Sequence, residues 1–221
     1  MLFRSGATVL LACRSLERAE TARKQLLLET DTIQPKALIP LQLDLANLTS
    51  VATASEQVSQ RWGRLDLLIN NAGAAYTGPL ADMPLEQWQW LLQLNLTSVF
   101  QVCRAVLPLL RQRGGHIINV SSHAARNAFP EWGAYCVSKA ALASFTRCLA
   151  EEERSHGIRV STLTLGAVNT PLWDTATVHS SFDRRAMLSA ERAAEALVSL
   201  ALQPASQIVE DLTLMPAAGA L

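Results

Sequence analysis

The stretch GGHIINVSSHAARNAFPEWGAYCVSKAALASF, residues 114–145, contains a strand, a break and a helix in succession. His116 to Val120 is a short apolar, β-branched run, long enough for a strand and too short for a helix of ordinary length. It ends in two hydroxyls, Ser121 and Ser122. Asn127, Pro130 and Gly133 break the pattern. From Gly133 onward an alanine-rich run carries helical spacing, and on it stand a tyrosine and, four places later, a lysine. Two long polar-tipped side chains on such a helix need a reason.

The same strand–helix grammar recurs on both sides. The runs ATVLLAC, KALIPLQLDL, RLDLLINNAG, IRVSTLTLG and DLTLMP are each short enough for a strand. Between them lie helical patterns: SLERAETARKQLLLET, NLTSVATASEQVSQRW, the long PLEQWQWLLQLNLTSVFQVCRAVLPLLRQR, and SAERAAEALVSLALQ. Near-continuous apolar strands joined by helical crossovers predict a mostly parallel, doubly wound α/β sheet with helices on both faces. Ligands in such sheets bind beyond the carboxyl ends of the strands. Those positions hold Arg14, Asp44, Asn71 to Gly73, Ser121, Ser122 and Gly166. No linker or repeat interrupts the chain, so residues 1–221 read as a single domain. Within it, residues 171–187 (PLWDTATVHSSFDRRAM) lack a period and read as a long loop or short helices, naturally a lid over the substrate.

Tyr135 and Lys139 are four apart and therefore share a helix face. A phenol with an ordinary pKa near 10 is a poor acid or base at neutral pH, and a neighbouring ammonium favours its phenolate. An isolated pair of this kind is ordinarily a packed phenol beside a solvated charge. Here Ser122, thirteen residues earlier at a strand's carboxyl edge, adds a third polar group.

With NNAG at Asn70 to Gly73, Asn95 in LNLTSVF, then Ser122, Tyr135 and Lys139 in order, the chain resembles the short-chain dehydrogenase/reductase family over essentially its whole length. The resemblance implies a Rossmann-like sheet and an oxidoreductase interconverting a carbonyl and an alcohol. It makes Tyr135 the general acid–base, Ser122 the group that polarises the carbonyl, Lys139 the ligand of the nicotinamide ribose that lowers the tyrosine pKa, and Asn95 the holder of a water in the proton relay. Asn71, Ala72 and Gly73 would lie against the cofactor, Asp44 would bond the adenine edge, and Val168 and Thr170 in LGAVNTPL would meet the carboxamide. Leu165 stands where that motif usually has proline. Cys13 takes the place of the acid that selects the 2'-hydroxyl of NAD, and Arg14 follows it. A guanidinium beside a neutral residue favours a 2'-phosphate, so NADP(H) is expected over NAD(H), with a lean toward reduction. The alternative for Arg14 is a helix-start surface charge. Trp132, Trp173 and Phe182 are the expected wall of an apolar substrate pocket. By the same resemblance the helices around LNLTSVFQVCRAVLPLL and AALASFTRCLA would form the interface of a homodimer or homotetramer; the alternative is plain packing against the sheet.

One part of the family pattern is missing. GATVLLACRS already matches the second strand, leaving Met1 to Ser5 ahead of it, and no glycine-rich phosphate turn is present. The first strand and first helix are therefore absent, and the two strands that should flank that strand are expected to carry unpaired backbone groups. A start further upstream is the favoured reading. Another chain or a rearranged segment filling the slot, or a relative that has lost activity, are the alternatives. Hence the second functional expectation, a catalytically silent binding or scaffold protein. A hydrolase with Ser122 as nucleophile is disfavoured, since no G-x-S-x-G elbow surrounds it.

Composition narrows the rest. With 19 basic and 19 acidic residues the formal net charge is zero, which argues against a nucleic-acid partner. The apolar fraction is 49%, in runs far shorter than a bilayer span, so no membrane partner is expected either. Cys13, Cys103, Cys136 and Cys148 lack metal-site spacing and read as reduced thiols of a cytoplasmic protein, with no metal implied. The expected partner is a small carbonyl or alcohol substrate.

Overall fold

All six apolar runs form strands: β1 Val9–Cys13, β2 Leu38–Gln42, β3 Leu67–Asn70, β4 Gly115–Ser122, β5 Ile158–Leu165 and β6 Asp211–Leu214. The structure is a computed structural model and describes residues 7–29 and 34–220. Met1 to Ser5, ahead of the first strand, and Thr30, at the end of the first helical pattern, lie outside the described residues. Helices α1 Leu16–Leu28, α2 Leu48–Trp62, α3 Leu85–Leu92, α4 Ser98–Leu110, α5 Gly133–Glu153 and α6 Ala190–Ala201 connect the strands.

Adjacent strand residues point to opposite faces, and β4 uses both. Ile117 packs with Val160, Leu142, Leu149 and Leu110 beneath α4 and α5. Ile118, its neighbour, packs with Leu163 and Leu200 beneath α6. Both isoleucines are fully buried. This is why the run is apolar throughout rather than alternating.

Every pairing between these strands is parallel, but they form two sheets. β1 pairs with β2, while β3, β4, β5 and β6 pair in that order. Among the described residues no strand pairs with β1 on its other side, or with β3 on the side away from β4. A cavity of about 560 Å3 lies there, lined by β1, β3, α2 and α4 through residues such as Leu10, Leu68, Ala54 and Val106. Among the described residues, then, the flanks of β1 and β3 are unpaired, as the sequence leads one to expect.

Capping residues define several ends. Asn47 Oδ1 accepts the backbone N–H of Thr49 and Ser50 at the start of α2, and Gly63 closes that helix at φ 63°, a left-handed conformation that glycine adopts without strain. The long helical pattern between Leu85 and Leu110 departs from expectation. It is not one helix: Gln93–Thr97 forms a π-helical turn between α3 and α4. Such a turn widens the helix by one residue and is frequent at functional sites. Residues 171–187 contain two short 3-10 turns, Pro171–Asp174 and Arg184–Ala186. All four cysteines are free, and among the described residues no helix is long and apolar enough to cross a membrane.

Candidate active site

The carboxyl ends of β3, β4, β5 and β6 open on a cavity of about 550 Å3. Ser122 is the last residue of β4 and also caps the 3-10 turn that follows, its Oγ accepting from the Ala124 N–H at 3.2 Å. Tyr135 and Lys139, one turn apart on α5, face the same space. The lysine is 5% exposed. Its Nζ donates to Val120 O at 3.0 Å and lies 5.8 Å from the centre of the Tyr135 ring. Burial lowers its pKa to about 8. Burial also pushes the Tyr135 phenol above its ordinary value; hydrogen bonding with Ser122 holds it down in part, and Cys136 adds to the rise. Among the causes of the tyrosine shift Lys139 does not figure, so without further ligands the phenol is raised rather than lowered.

Asn95 sits in the π-turn and is 1% exposed. Its Oδ1 accepts the Ala74 N–H at 2.9 Å, and its Nδ2 donates to Ala74 O at 2.9 Å and to Ser138 Oγ at 3.0 Å. Both amide hydrogens are therefore used on protein acceptors, leaving no side-chain donor for a water. The side chain ties the loop after β3 to α5. A Cβ at Gly73 would come within 3.3 Å of Asn95 Oδ1 and 3.5 Å of Lys139 Nζ, so glycine is what lets that loop pass so close.

Asn71, Gly73, Val168 and Thr170 line the cavity with Ser122, Tyr135 and Lys139, and so do Trp132, Trp173 and Phe182. Arg14 and Asp44 do not; they lie beyond the ends of β1 and β2, on the other side of the split sheet. Arg14 is exposed and makes no ion pair among the described residues. Asp44 Oδ1 accepts the Ala46 N–H at 3.0 Å. Ala72 is exposed and outside the lining.

Several contributors escape sequence reasoning. Met215 lines the cavity just after β6, a place the carboxyl-edge rule indicates. Phe129 lines it from an aperiodic turn that gives no signal. Beneath the site, Asn70 Nδ2 donates to Asn119 Oδ1 at 2.8 Å and Asn119 Nδ2 to Thr146 Oγ1 at 2.9 Å, coupling β3, β4 and α5. An asparagine inside an apolar strand was the available clue, because a fully buried amide must find partners.

The family model described as short chain dehydrogenase matches residues 1–180. An uncharacterized oxidoreductase of Staphylococcus epidermidis is 27% identical over 216 residues, covering 97% of this chain and 89% of that protein. A sepiapterin reductase of Chlorobaculum tepidum is 30% identical, over 80% of this chain and 71% of its own length. Among solved structures, an alcohol dehydrogenase from the archaeon Thermococcus sibiricus, complexed with 5-hydroxy-NADP, superposes with a TM-score of 0.86 at 26% identity, covering 98% of this chain and 88% of that one.

Proposed function

The chain belongs to the short-chain dehydrogenase family, and from that premise we propose that it interconverts a carbonyl and an alcohol with Tyr135 as acid–base and NADP(H) as the preferred cofactor. The observation that carries this is the convergence of Ser122, Tyr135 and Lys139 on one cavity, with Asn95 fixing the loop behind them. The glycine at position 73, the buried lysine and the neighbouring Thr170 fit the nicotinamide end of a dinucleotide. When bound, that cofactor supplies or accepts the hydride at the substrate carbon. Ser122 Oγ donates to the substrate oxygen and polarises it. Tyr135 delivers the proton to that oxygen in reduction and removes it in oxidation, the oxygen charge being stabilised by both hydroxyls as it develops. Lys139 holds its ammonium beside the phenol and the ribose. Asn95 is a positioning residue, holding the Ala74 backbone and Ser138. Arg14, exposed and without an ion pair among the described residues, supports selection of the 2'-phosphate, with Asp44 on the adenine side; residues 171–187 act as the lid.

Replacing Tyr135 by phenylalanine is expected to abolish turnover while leaving the fold intact; a variant of undiminished activity overturns the assignment. In reduction, kcat/KM of the free enzyme is expected to fall as pH rises through about 8, where Lys139 loses its charge. Lys139→Arg, which stays charged, should push that break upward, and an unmoved break would remove lysine from the relay.

A second reading has one observation behind it. The two sheets are not joined between β1 and β3, and the phosphate-binding turn has no counterpart among the described residues. A chain in this condition would keep the catalytic groups without competent dinucleotide binding. Calorimetric titration with NADPH and, separately, NADH separates the readings. Tight binding with a clear NADPH advantage supports the enzyme and Arg14 as selector; no binding by folded protein supports the silent protein.

A further inference from the structure

Four aromatic rings run in a row along one wall of the active-site cavity. Phe182 to Trp173, Trp173 to Trp132 and Trp132 to Tyr135 have centroid separations of 5.7, 5.6 and 5.6 Å, all tilted or edge-to-face. These are favourable spacings for aromatic pairs. The row ends on the phenol assigned the proton transfer, so a ring lying along it would be attached next to the reacting carbon.

The wall is held in place by polar contacts that point away from any ligand. Trp173 Nε1 donates to Val168 O at 2.7 Å, which leaves its indole with only apolar surface to offer. Arg184 staples the segment carrying Trp173: its guanidinium donates to Asn169 Oδ1 at 2.8 Å, to Asp174 Oδ1 at 2.9 Å and to Thr170 O at 3.0 Å. That arginine is thereby occupied, and neither it nor Arg185 lines the cavity.

Charge recognition is missing from the lining. Among the described residues that surround the cavity there is no arginine, aspartate or glutamate. The two basic side chains in the lining already have protein partners: Lys139 Nζ donates one of its three hydrogens to Val120 O, and the His123 ring contacts Asn127 Nδ2 at 2.7 Å. A carboxylate or phosphate on the substrate would lose its water with no guanidinium in the lining to replace it, a substantial penalty. A cavity of about 550 Å3 also has to accommodate the nicotinamide end of the cofactor, which leaves room for a small substrate only.

We infer that the substrate class is a small, uncharged aryl ketone or aldehyde and the corresponding benzylic alcohol, its ring stacked on Trp173 and Trp132. This rests on the reading of the cavity as a carbonyl-reducing site, and it names what that site selects.

The test uses binding as well as turnover. Acetophenone and 1-phenylethanol, a four-carbon polyol, and pyruvate as a small keto acid are titrated against the full chain without dinucleotide, following quenching of intrinsic tryptophan fluorescence. The aryl compounds are expected to bind at least tenfold more tightly than the polyol or the keto acid. Trp173→Ala should weaken acetophenone by tenfold or more and 2-butanone by much less, while Trp173→Phe retains aryl binding. Should Trp173→Ala not fold, Phe182→Ala serves the same purpose with a smaller loss. Equal binding of polyol or keto acid overturns the inference, and so does an aryl affinity indifferent to both substitutions. Turnover separates this from the broader proposal. Aryl binding in a chain inactive with either dinucleotide leaves the pocket assignment standing and removes the catalytic one; turnover of polyols in preference to aryl ketones does the reverse.

Discussion

The two sheets of this molecule are built from strands of similar apolarity and end in very different surroundings. In the four-stranded sheet, β4 and β5 bury most of their residues, with Ile117, Ile118 and Leu163 wholly excluded from solvent. In the two-stranded sheet, no residue of β1 is fully buried, and Leu38 is the one buried residue of β2. The helices follow suit: α5 buries Leu142, Leu149 and five further residues, α1 only Ala19. What decides burial is the neighbour. A strand paired on both sides and covered by helices on both faces is core, whereas the same kind of run beside an unfilled slot is half-exposed whatever its composition. The proposed catalytic groups Ser122 and Lys139 sit on the well-buried sheet and its helix, while the proposed cofactor contacts Arg14 and Asp44 depend on the less buried sheet.

The largest test of this difference is a matched pair of truncations. Ile117→Ala removes a fully buried side chain from the α4–α5 core and is expected to cost about 2–5 kcal/mol. Leu10→Ala, in half-exposed β1 at the edge of the slot, should cost about 1 kcal/mol. Urea unfolding measures both, and equal costs would mean the two-stranded sheet is as tightly packed as the other. Amide exchange gives the same contrast locally, with β4 and β5 protected to the level of global unfolding and β1 exchanging by smaller openings.

A pH test probes the well-buried side alone. His116 is 3% exposed, with Nε2 2.8 Å from Ser161 Oγ and Nδ1 without a partner among the described residues. Burial, with Arg159 adding repulsion, lowers its pKa from 6.5 to about 4. The unfolded chain therefore takes up a proton near pH 6.5 that the folded one refuses. Stability is fully present above that pH and is lost as pH falls from 6.5 toward 4, by up to about 3 kcal/mol. His116→Gln should flatten this part of the stability profile. A variant that keeps the full acid loss would assign it to the carboxylates instead.

These contrasts also explain how much the sequence could tell. The six strands, the helices between them and the grouping of Ser122, Tyr135 and Lys139 were legible because continuous apolar runs and four-residue spacing translate directly into buried strands and a shared helix face. Even the unpaired flanks of β1 and β3 followed from the order of the motifs. The π-turn at Gln93–Thr97 was not legible, because a one-residue widening leaves the helical pattern of Leu85 to Leu110 almost unchanged. The working partners of Asn95 were hidden with it. Phe129 and the stapling by Arg184 arise from aperiodic segments, where position depends on contacts remote in sequence.

The smallest expected effect bears on the slot itself, and there the sign matters more than the size. Ala54, 5% exposed on α2, lines the cavity between β1 and β3. Leucine at this position adds roughly three carbons toward that space, and as a good helix former it does not disturb α2. With the slot open to receive it, Ala54→Leu should stabilise the protein by about 1 kcal/mol, the gain from apolar burial being reduced by side-chain ordering. A well-packed interior would respond in the opposite sense, since forcing extra carbons into a filled core costs about 1–3 kcal/mol. A destabilised variant would therefore show that the space beside β1 is filled in solution. It would also erase the difference between the two sheets, because Leu10 and Leu68 would then be as enclosed as Ile117.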